Sequence, residues 1–324
     1  MNWIAPMEPL SSREVKEEKT FIHEIKYDGI RGMIYFQGSD YRLFTKKGNE
    51  RTDFYPELKI LNRLMGSRKV ILDGEIYVLD KDKRPAFHNI LTRETVKSQR
   101  NLQFYINNYP ANYVVFDILQ MDDRLLTGLP LTERKQLLDT VMRPVIGNCD
   151  NIYISSIYDN GAELFEQMKD KNMEGIVSKK ADSLYLEGKN HQDWFKTKFI
   201  KKMLCIIGGI QWKEQKPNSL ILGIKTHENP KLIYLGKASL GLTQADLMLL
   251  KQYREQLEQP ECPFDGESIK GLNNTGSGIT WTMPYITCWI SFLELSNDGH
   301  FRHPKILGFT NLPVEEAYGK VLTE

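Results

Sequence analysis

The chain has 324 residues, enough for two domains at roughly 100–200 residues each. Hydrophobic residues make up 41% and charged residues 26%, an ordinary globular composition that argues against extensive disorder. Lys and Arg number 43 against 42 Asp and Glu, a formal net charge of +1, so any case for a polyanionic partner has to rest on where the basic residues sit.

Through about residue 200, segments rich in β-branched and aromatic residues predict strands over Phe21–Lys26, Arg31–Gln37, Tyr41–Lys46, Val70–Leu79, Tyr113–Leu119, Ile152–Ile154, Gly175–Lys180 and Trp194–Phe199. Phe54, Leu58, Leu61 and Met65 recur at helical spacing and predict a helix over Asp53–Met65. Thr132–Met142 and Asn160–Lys171 are further helix candidates. Helices and strands mixed without a βαβ rhythm predict an α+β domain with largely antiparallel sheets.

Beyond residue 201 the character changes. Short strands are expected at Leu204–Trp212, Ser219–Thr226, Lys231–Ser239, Ile286–Leu295 and Lys305–Phe309. One helix, opened by Thr243 as N-cap and running to about Gln259, interrupts them. Five strands and one helix predict a C-terminal OB-fold β-barrel, with domains at 1–201 and 202–324. The four cysteines are far apart and form no CxxC pair, which disfavours a cysteine zinc site or a disulfide framework and fits a reducing cytoplasm. No apolar run reaches the roughly 20 residues of a membrane helix, and residues 1–13 carry no signal-peptide pattern.

Polar density concentrates in four strand-like segments. In Glu24-Ile25-Lys26-Tyr27-Asp28-Gly29-Ile30-Arg31, alternation puts Glu24 and Lys26 on one face. Asp28-Gly29 predicts a hairpin that brings Arg31 back beside Lys26. A lysine among cations holds its proton less tightly and becomes a nucleophile; taken alone, the segment also fits a hairpin with surface charges. In Leu72-Asp73-Gly74-Glu75-Ile76, Asp73 and Glu75 share a face and are able to hold a divalent metal or a ribose hydroxyl. In Glu174-Gly175-Ile176-Val177-Ser178-Lys179-Lys180, parity separates Glu174 from Lys179, so both reach one ligand only if the strand twists or bulges. In Trp194-Phe195-Lys196-Thr197-Lys198-Phe199, two ammonium groups on one face suit a phosphate. A nucleophilic amine, acidic groups and a lysine pair together fit attack of lysine on a nucleoside triphosphate. No Walker A or GxGxxG loop is present.

In this order the segments resemble the covalent nucleotidyltransferase superfamily, and within it the bacterial ATP-dependent DNA ligases of the end-joining type. Lys26-Tyr27-Asp28-Gly29-Ile30-Arg31 matches that family's KxDGxR. Thr45-Lys46-Lys47-Gly48 stands where Ser-Arg-x-Gly is usual, followed by Phe54-Tyr55-Pro56-Glu57-Leu58. Leu72-Asp73-Gly74-Glu75, Phe116-Asp117-Ile118-Leu119, Leu129-Pro130-Leu131 with Arg134, Glu174-Gly175-Ile176-Val177 with Lys179, and Trp194-Phe195-Lys196-Thr197-Lys198 complete the series.

The resemblance implies an adenylation domain followed by an OB domain. It implies that Lys26 forms a covalent lysyl–AMP with ATP, that Glu24 lies beside the adenine and that Phe116 stacks on it. Arg31 and Lys46 are implied to contact the ribose or a DNA phosphate. Glu75 and Glu174 would serve the ribose and a divalent metal, Mg2+ or Mn2+. Lys196 and Lys198 would hold the α-phosphate, Lys179 would line the nucleotide site, and Arg302 would orient pyrophosphate. The implied substrate is nicked double-stranded DNA, bound by a cytoplasmic, nucleoid-associated monomer, with a Ku-like end-binding protein or a separate polymerase as candidate partners. The motifs fill nearly the whole chain, so a minimal ligase is expected, its DNA grip resting on basic residues such as Lys189, Lys201, Lys202 and Lys213. Two departures stand out: Lys46 replaces an arginine and loses bidentate phosphate contact, and Phe309-Thr310-Asn311-Leu312 lacks the family's Arg-x-Asp-Lys, so either self-adenylation is expected to be slow or this face is expected to be organised differently. An RNA ligase or capping-type guanylyltransferase is the alternative within the superfamily, and a non-catalytic nucleic-acid clamp the alternative outside it.

Overall fold

The computed structural model describes residues 3–38, 40–96, 101–226, 229–266, 269, 272, 278–296 and 298–323. The chain divides into two compact units, Met1–Lys198 and Phe199–Glu324.

The first unit holds two sheets. One has the strand order Glu8–Ser12, Asn190–Lys198, Gly175–Lys180, Phe21–Lys26, antiparallel except where Glu8–Ser12 runs parallel to its neighbour. The other runs Asp40–Thr45, Ile30–Gln37, Lys69–Val78, Ala111–Met121, Arg124–Leu125, with Ile152–Ile154 added parallel to Ala111–Met121. The fold is therefore α+β with mostly antiparallel pairing. Met33, Tyr35, Ile71 and Leu119 of the second sheet pack with Trp194 of the first, with Met7 and Tyr185 completing this core. The second sheet's other face (Ile34, Phe36, Leu72, Ile76, Tyr113, Val115) packs on Leu58, Leu61, Leu138 and Met142. Lys69–Val78 is therefore covered on both faces, and its sequence is apolar on either side of Asp73-Gly74-Glu75 rather than alternating throughout.

Three expectations change here. Phe21–Lys26 and Ile30–Gln37 belong to different sheets, so Asp28-Gly29 closes no hairpin. The chain crosses from one sheet to the other at that point, passing so close to the second that a Cβ on Gly29 would lie 2.3 Å from the Ile76 carbonyl oxygen. The helix expected over 53–65 is broken into 3-10 turns at Thr52–Phe54 and Pro56–Lys59 and a short helix at Ile60–Met65. Pro56 is the cause: it drives Tyr55 out of the helical region, to φ −128° and ψ 59°. Glu8–Ser12, whose Pro9 fits only an edge strand, and the helices Phe87–Glu94 and Leu102–Asn108 lie outside the predicted elements.

The second unit is a seven-stranded antiparallel sheet whose main path runs Ile233–Ala238, Lys216–Ile224, Lys201–Lys213, Thr287–Phe292, Lys305–Thr310, with Ile279–Trp281 and Val321–Thr323 also paired to Lys201–Lys213. Its central 13-residue strand carries two register breaks, at Ile207/Gly209 and Gln211/Trp212, where it bends. One parallel bridge, Leu240 to Lys305, joins the chain at the sheet's two outer edges, an OB-fold-like arrangement. Met203, Cys205, Leu220, Leu222, Cys288 and Ile290 fill the interior. The four cysteines are free thiols. Thr243 caps the helix Gln244–Gln252 through a reciprocal pair of bonds with Asp246, and the chain then turns at Tyr253 into Arg254–Leu257 instead of continuing to Gln259.

Candidate active site

Register explains how distant segments meet. Across three strands of the first sheet, Lys26, Gly175 and Lys198 form one row. Glu24, Val177 and Lys196 form the next, and Ile22, Lys179 and Trp194 the third. One sheet face thus presents Lys26, Glu24, Lys179, Lys196 and Lys198 together. Glu174 joins them because Gly175 turns the chain at φ +144°, in contact with the Thr197 carbonyl so close that a Cβ would lie 2.1 Å from it. Glu174 then stands between the two lysines that flank Gly175: Lys26 Nζ donates to Oε2 at 2.6 Å, and Lys198 Nζ lies 2.5 Å from Oε1. The parity conflict between Glu174 and Lys179 is resolved by the turn, and each residue pairs with a different partner.

The second sheet supplies the facing wall. Arg31 is opposite Glu75 and reaches diagonally to Asp73, with Nε to Oδ1 and Nη2 to Oδ2 both at 2.5 Å. Tyr185 donates its hydroxyl to Asp73 Oδ2 at 2.7 Å. Asp73 therefore holds Arg31 and is not a ligand in waiting. The ladder between Lys69–Val78 and Ala111–Met121 skips Phe116, which is a bulge residue, and bulges re-aim side chains. Its ring lies 4.6 Å from the Arg31 guanidinium carbon and 4.4 Å from Lys179 Nζ.

Between the walls is a cleft of about 670 Å³, lined by Glu24, Lys26, Arg31, Lys46, Glu75, Phe116, Lys179, Lys196 and Lys198, together with Glu8, Trp194 and the helix residues Phe87 and Leu91. The predicted residues of this unit therefore converge. Arg302 belongs to the second unit, where it is ion-paired with Glu294.

The charges differ from expectation at the key residue. Burial works against a charged Lys26, but Glu174 and Glu75 outweigh it and hold the amine above the ordinary lysine range. Lys26 is therefore not a lysine loosened by neighbouring cations, because its nearest groups are carboxylates. The lysine so loosened is Lys196, lowered by burial and by Lys198 and Lys26. Burial pushes Glu75 up to about 7 against the pull of Lys26 and Arg31. Burial would raise Glu24 too, yet Lys135 and Lys179 overcome it and keep this carboxylate ionised. Lys179, buried and close to Lys135, falls to about 8 despite Glu24.

Sequence reasoning missed Lys135, whose Nζ lies 2.5 Å from Glu24 Oε1 while Lys179 holds Oε2 at 3.0 Å. Its neighbour Arg134 is fully buried, forks onto both Asp117 oxygens at 2.8 Å and fixes the helix Leu131–Met142 beneath the site. The adjacent Arg134-Lys135 gave no signal of this in the sequence, since consecutive cations in a helix are ordinarily solvated. Among the described residues no three His, Cys, Asp or Glu side chains converge as a cation site. Glu75 and Glu174 offer two carboxylates beside Lys26, the number a divalent ion uses when substrate phosphates supply other ligands.

Residues 7–198 match the family model for the ATP dependent DNA ligase domain, and residues 213–311 that for the ATP dependent DNA ligase C terminal region. The multifunctional non-homologous end joining protein LigD of Mycolicibacterium smegmatis is 28% identical over 294 residues, 90% of this chain and 36% of that protein. This chain thus spans about a third of the LigD relatives' length. The SPbeta prophage-derived DNA ligase-like protein LigB of Bacillus subtilis is 32% identical over 195 residues, 60% of this chain and 67% of that one. The crystal structure of the ligase domain of Mycobacterium tuberculosis LigD superposes with a TM-score of 0.53 at 25% identity, covering 97% of both chains. A mycobacterial DNA ligase D complexed with ATP and MES gives 0.54 at 25% identity over 98% of both.

Proposed function

This chain belongs to the ATP-dependent DNA ligase family, and from that premise we propose that it seals nicks in duplex DNA through a lysyl–AMP intermediate on Lys26. Lys26 Nζ attacks the α-phosphorus of ATP, a P–N bond forms, and pyrophosphate leaves. The AMP passes to the 5′-phosphate at a nick, and the 3′-hydroxyl displaces it to form the phosphodiester. The observation that carries this reading is the row arrangement: Lys26 opens to the cleft with Lys196 and Lys198 on the same face and Phe116 on the wall opposite.

Each side chain has a task suited to its surroundings. Phe116 offers a π-face for adenine, steadied by Arg31 and Lys179. Glu24, held ionised, presents acceptor oxygens at the base edge. Lys196 and Lys198 neutralise charge on the α-phosphate. Lys26 has to release its proton to solvent before attack, and the carboxylates that hold the amine above the ordinary lysine range would do so less if a divalent cation neutralised them. Glu75 and Glu174, with phosphate oxygens, would hold a magnesium or manganese ion, which supplies neutralisation of the leaving pyrophosphate. Arg302 is assigned to the same step from the second unit. End joining is the assigned setting, supported by the LigD relatives, with a Ku-like end-binding protein or a separate polymerase as partner and the protein acting as a monomer. No helix among the described residues is long and apolar enough to cross a membrane.

The test is a denaturing gel after incubation with α-labelled ATP, followed by a chase with nicked duplex. Label is expected on the protein, moving to the 5′ end of the nick and then lost as the strand is sealed. Labelled GTP should leave no mark. Lys26→Ala should abolish labelling while its unfolding midpoint stays close to wild type, since Lys26 belongs to none of the hydrophobic cores. Equal labelling of Lys26→Ala would remove Lys26 from the nucleophile role.

A further inference from the structure

Glu8 is an acid at the end of the cleft where Lys46, Lys47 and Lys196 also lie. Lys46, Lys196 and Lys198 line the same cleft. Glu8 opens the edge strand of the first sheet, while Lys46 follows the strand Asp40–Thr45 of the second. Their ion pair, 2.6 Å from Lys46 Nζ to Glu8 Oε2, therefore runs from one wall of the cleft to the other.

The backbone at Glu8 is fixed. Met7, immediately before it, is fully buried; its N–H donates to the Tyr185 hydroxyl at 3.1 Å, and its carbonyl accepts from Arg31 at 3.2 Å. The Glu8 N–H donates to the Lys189 carbonyl at 3.1 Å. The carboxylate thus stands on an anchored base, yet both charged groups reach solvent, with side-chain exposures of 33% for Glu8 and 53% for Lys46. Lys196 senses the same pair, Glu8 favouring its charged form and Lys46 opposing it. A carboxylate so placed accepts from Lys46 as a phosphate oxygen would, and it carries less charge than the phosphate that can replace it.

We propose that Glu8 is an internal counter-anion, occupying Lys46 until it yields it to a phosphate group of the nucleotide, of pyrophosphate or of the nicked strand. This rests on the ligase reading above and adds a positioning residue to it. Glu8 competes with phosphate, so it weakens phosphate binding at this end of the cleft and favours departure of pyrophosphate.

The reverse of the first step tests it. A pyrophosphate oxygen attacks the phosphorus of lysyl–AMP, the P–N bond breaks, ATP is released, and Lys26 regains a proton from solvent. Full-length protein is loaded with labelled AMP and titrated with inorganic pyrophosphate. Glu8→Gln should lower the half-saturating pyrophosphate concentration roughly two- to fivefold, the range of a solvent-exposed ion pair, without changing the maximal rate. In a Lys46→Met background the same substitution should have no effect. A parallel arm measures sealing of a nick with a 5′-phosphate; a shift in the KM for this DNA with none for pyrophosphate also supports the proposal and names the DNA phosphate as the displacing group. Unchanged values in both arms, or a shift that persists with Lys46→Met, overturn it. Failure of the wild-type protein to load AMP overturns the ligase reading and this inference with it, whereas normal loading with unshifted constants overturns only the inference.

Discussion

The first unit contains the same charge arrangement twice, one carboxylate shared between two lysines. At the cleft surface Glu174 lies between Lys26 and Lys198, with side-chain exposures of 14%, 19% and 28%. Beneath it Glu24 lies between Lys135 and Lys179, at 3%, 6% and 3%. The chemistry is alike and the access to water is not. Around Glu174, an incoming phosphate or cation can exchange partners, because water and ligand atoms can compensate each group that is released. Around Glu24, nothing can be exchanged without stranding a charge in low dielectric. The surface cluster is therefore suited to turnover and the buried one to holding the floor on which turnover happens.

The largest expected contrast comes from neutralising each acid. Glu24→Gln leaves two buried ammonium groups without a counter-charge and should cost about 3–5 kcal/mol of stability, read from urea unfolding. Glu174→Gln should cost less than about 1 kcal/mol, because its lysines can turn to water. Its penalty should fall on lysyl–AMP formation, slowed about 10–100-fold and not restored by extra Mg2+, since the ligand itself is gone. Equal stability losses for the two variants would show that burial does not separate the clusters.

The surface cluster was largely legible in the sequence and the buried one only in part. Ile152–Ile154 and Gly175–Lys180 begin and end where β propensity places them, and the polar segments containing Lys26, Glu75, Glu174 and Lys198 stood out as charges on strand-like backbones. Alternation alone put Glu24 beside Lys26 and Lys196 beside Lys198. What alternation does not contain is pairing across long sequence separation. The register that sets Lys26 against Gly175, 149 positions onward by subtraction, comes from the sheet and not from either strand. For the same reason the Asp28-Gly29 turn looked like a hairpin when it is a crossing between sheets, and Lys26 looked like a cation among cations when its immediate partners are acids. Lys135 was invisible because a helix lysine is normally solvated; the burial of Lys135 itself and of Arg134 beside it shows that this turn of helix points inward.

A middle-sized effect separates the clusters by pH. Lys179 sits at about 8 in the folded protein against 10.5 when free. Below pH 8 both folded and unfolded chains hold the proton, and the folded state bears the cost of the buried charge. Between about 8 and 10.5 the unfolded chain still binds a proton that the folded one has released, so stability rises with pH; the gain is complete above 10.5 and lost as pH falls through 8. The contribution should be about 1–3 kcal/mol. It is checked by comparing wild type with Lys179→Met in urea at pH 7.5 and pH 10: the difference in stability between the two proteins should change across that interval. Lys26, raised instead of lowered, should give no such gain, so a Lys26→Met pair measured the same way serves as the contrast.

The smallest effect is the most discriminating, because it asks whether each cluster's second lysine is needed for charge balance. Lys135→Met reduces the buried cluster to one acid and one base. It removes an excess cation from a site with no water to solvate it, while Lys179 still holds Glu24 at 3.0 Å. The expected change in stability is between zero and about 1 kcal/mol in the stabilising direction, since the methionine side chain fills similar space and a balanced buried pair is left. Lys179 should then titrate at higher pH, having lost a like charge. Lys198→Met makes the equivalent change at the surface, leaving Glu174 with Lys26 at 2.6 Å. Stability there should move by less than about 0.5 kcal/mol, and the KM for ATP should rise with little change in DNA binding. A Lys135→Met loss as large as that of Glu24→Gln would mean that Lys135 is required to keep Glu24 charged, and the buried cluster would then have to be treated as an indivisible triad instead of a pair with one cation in excess.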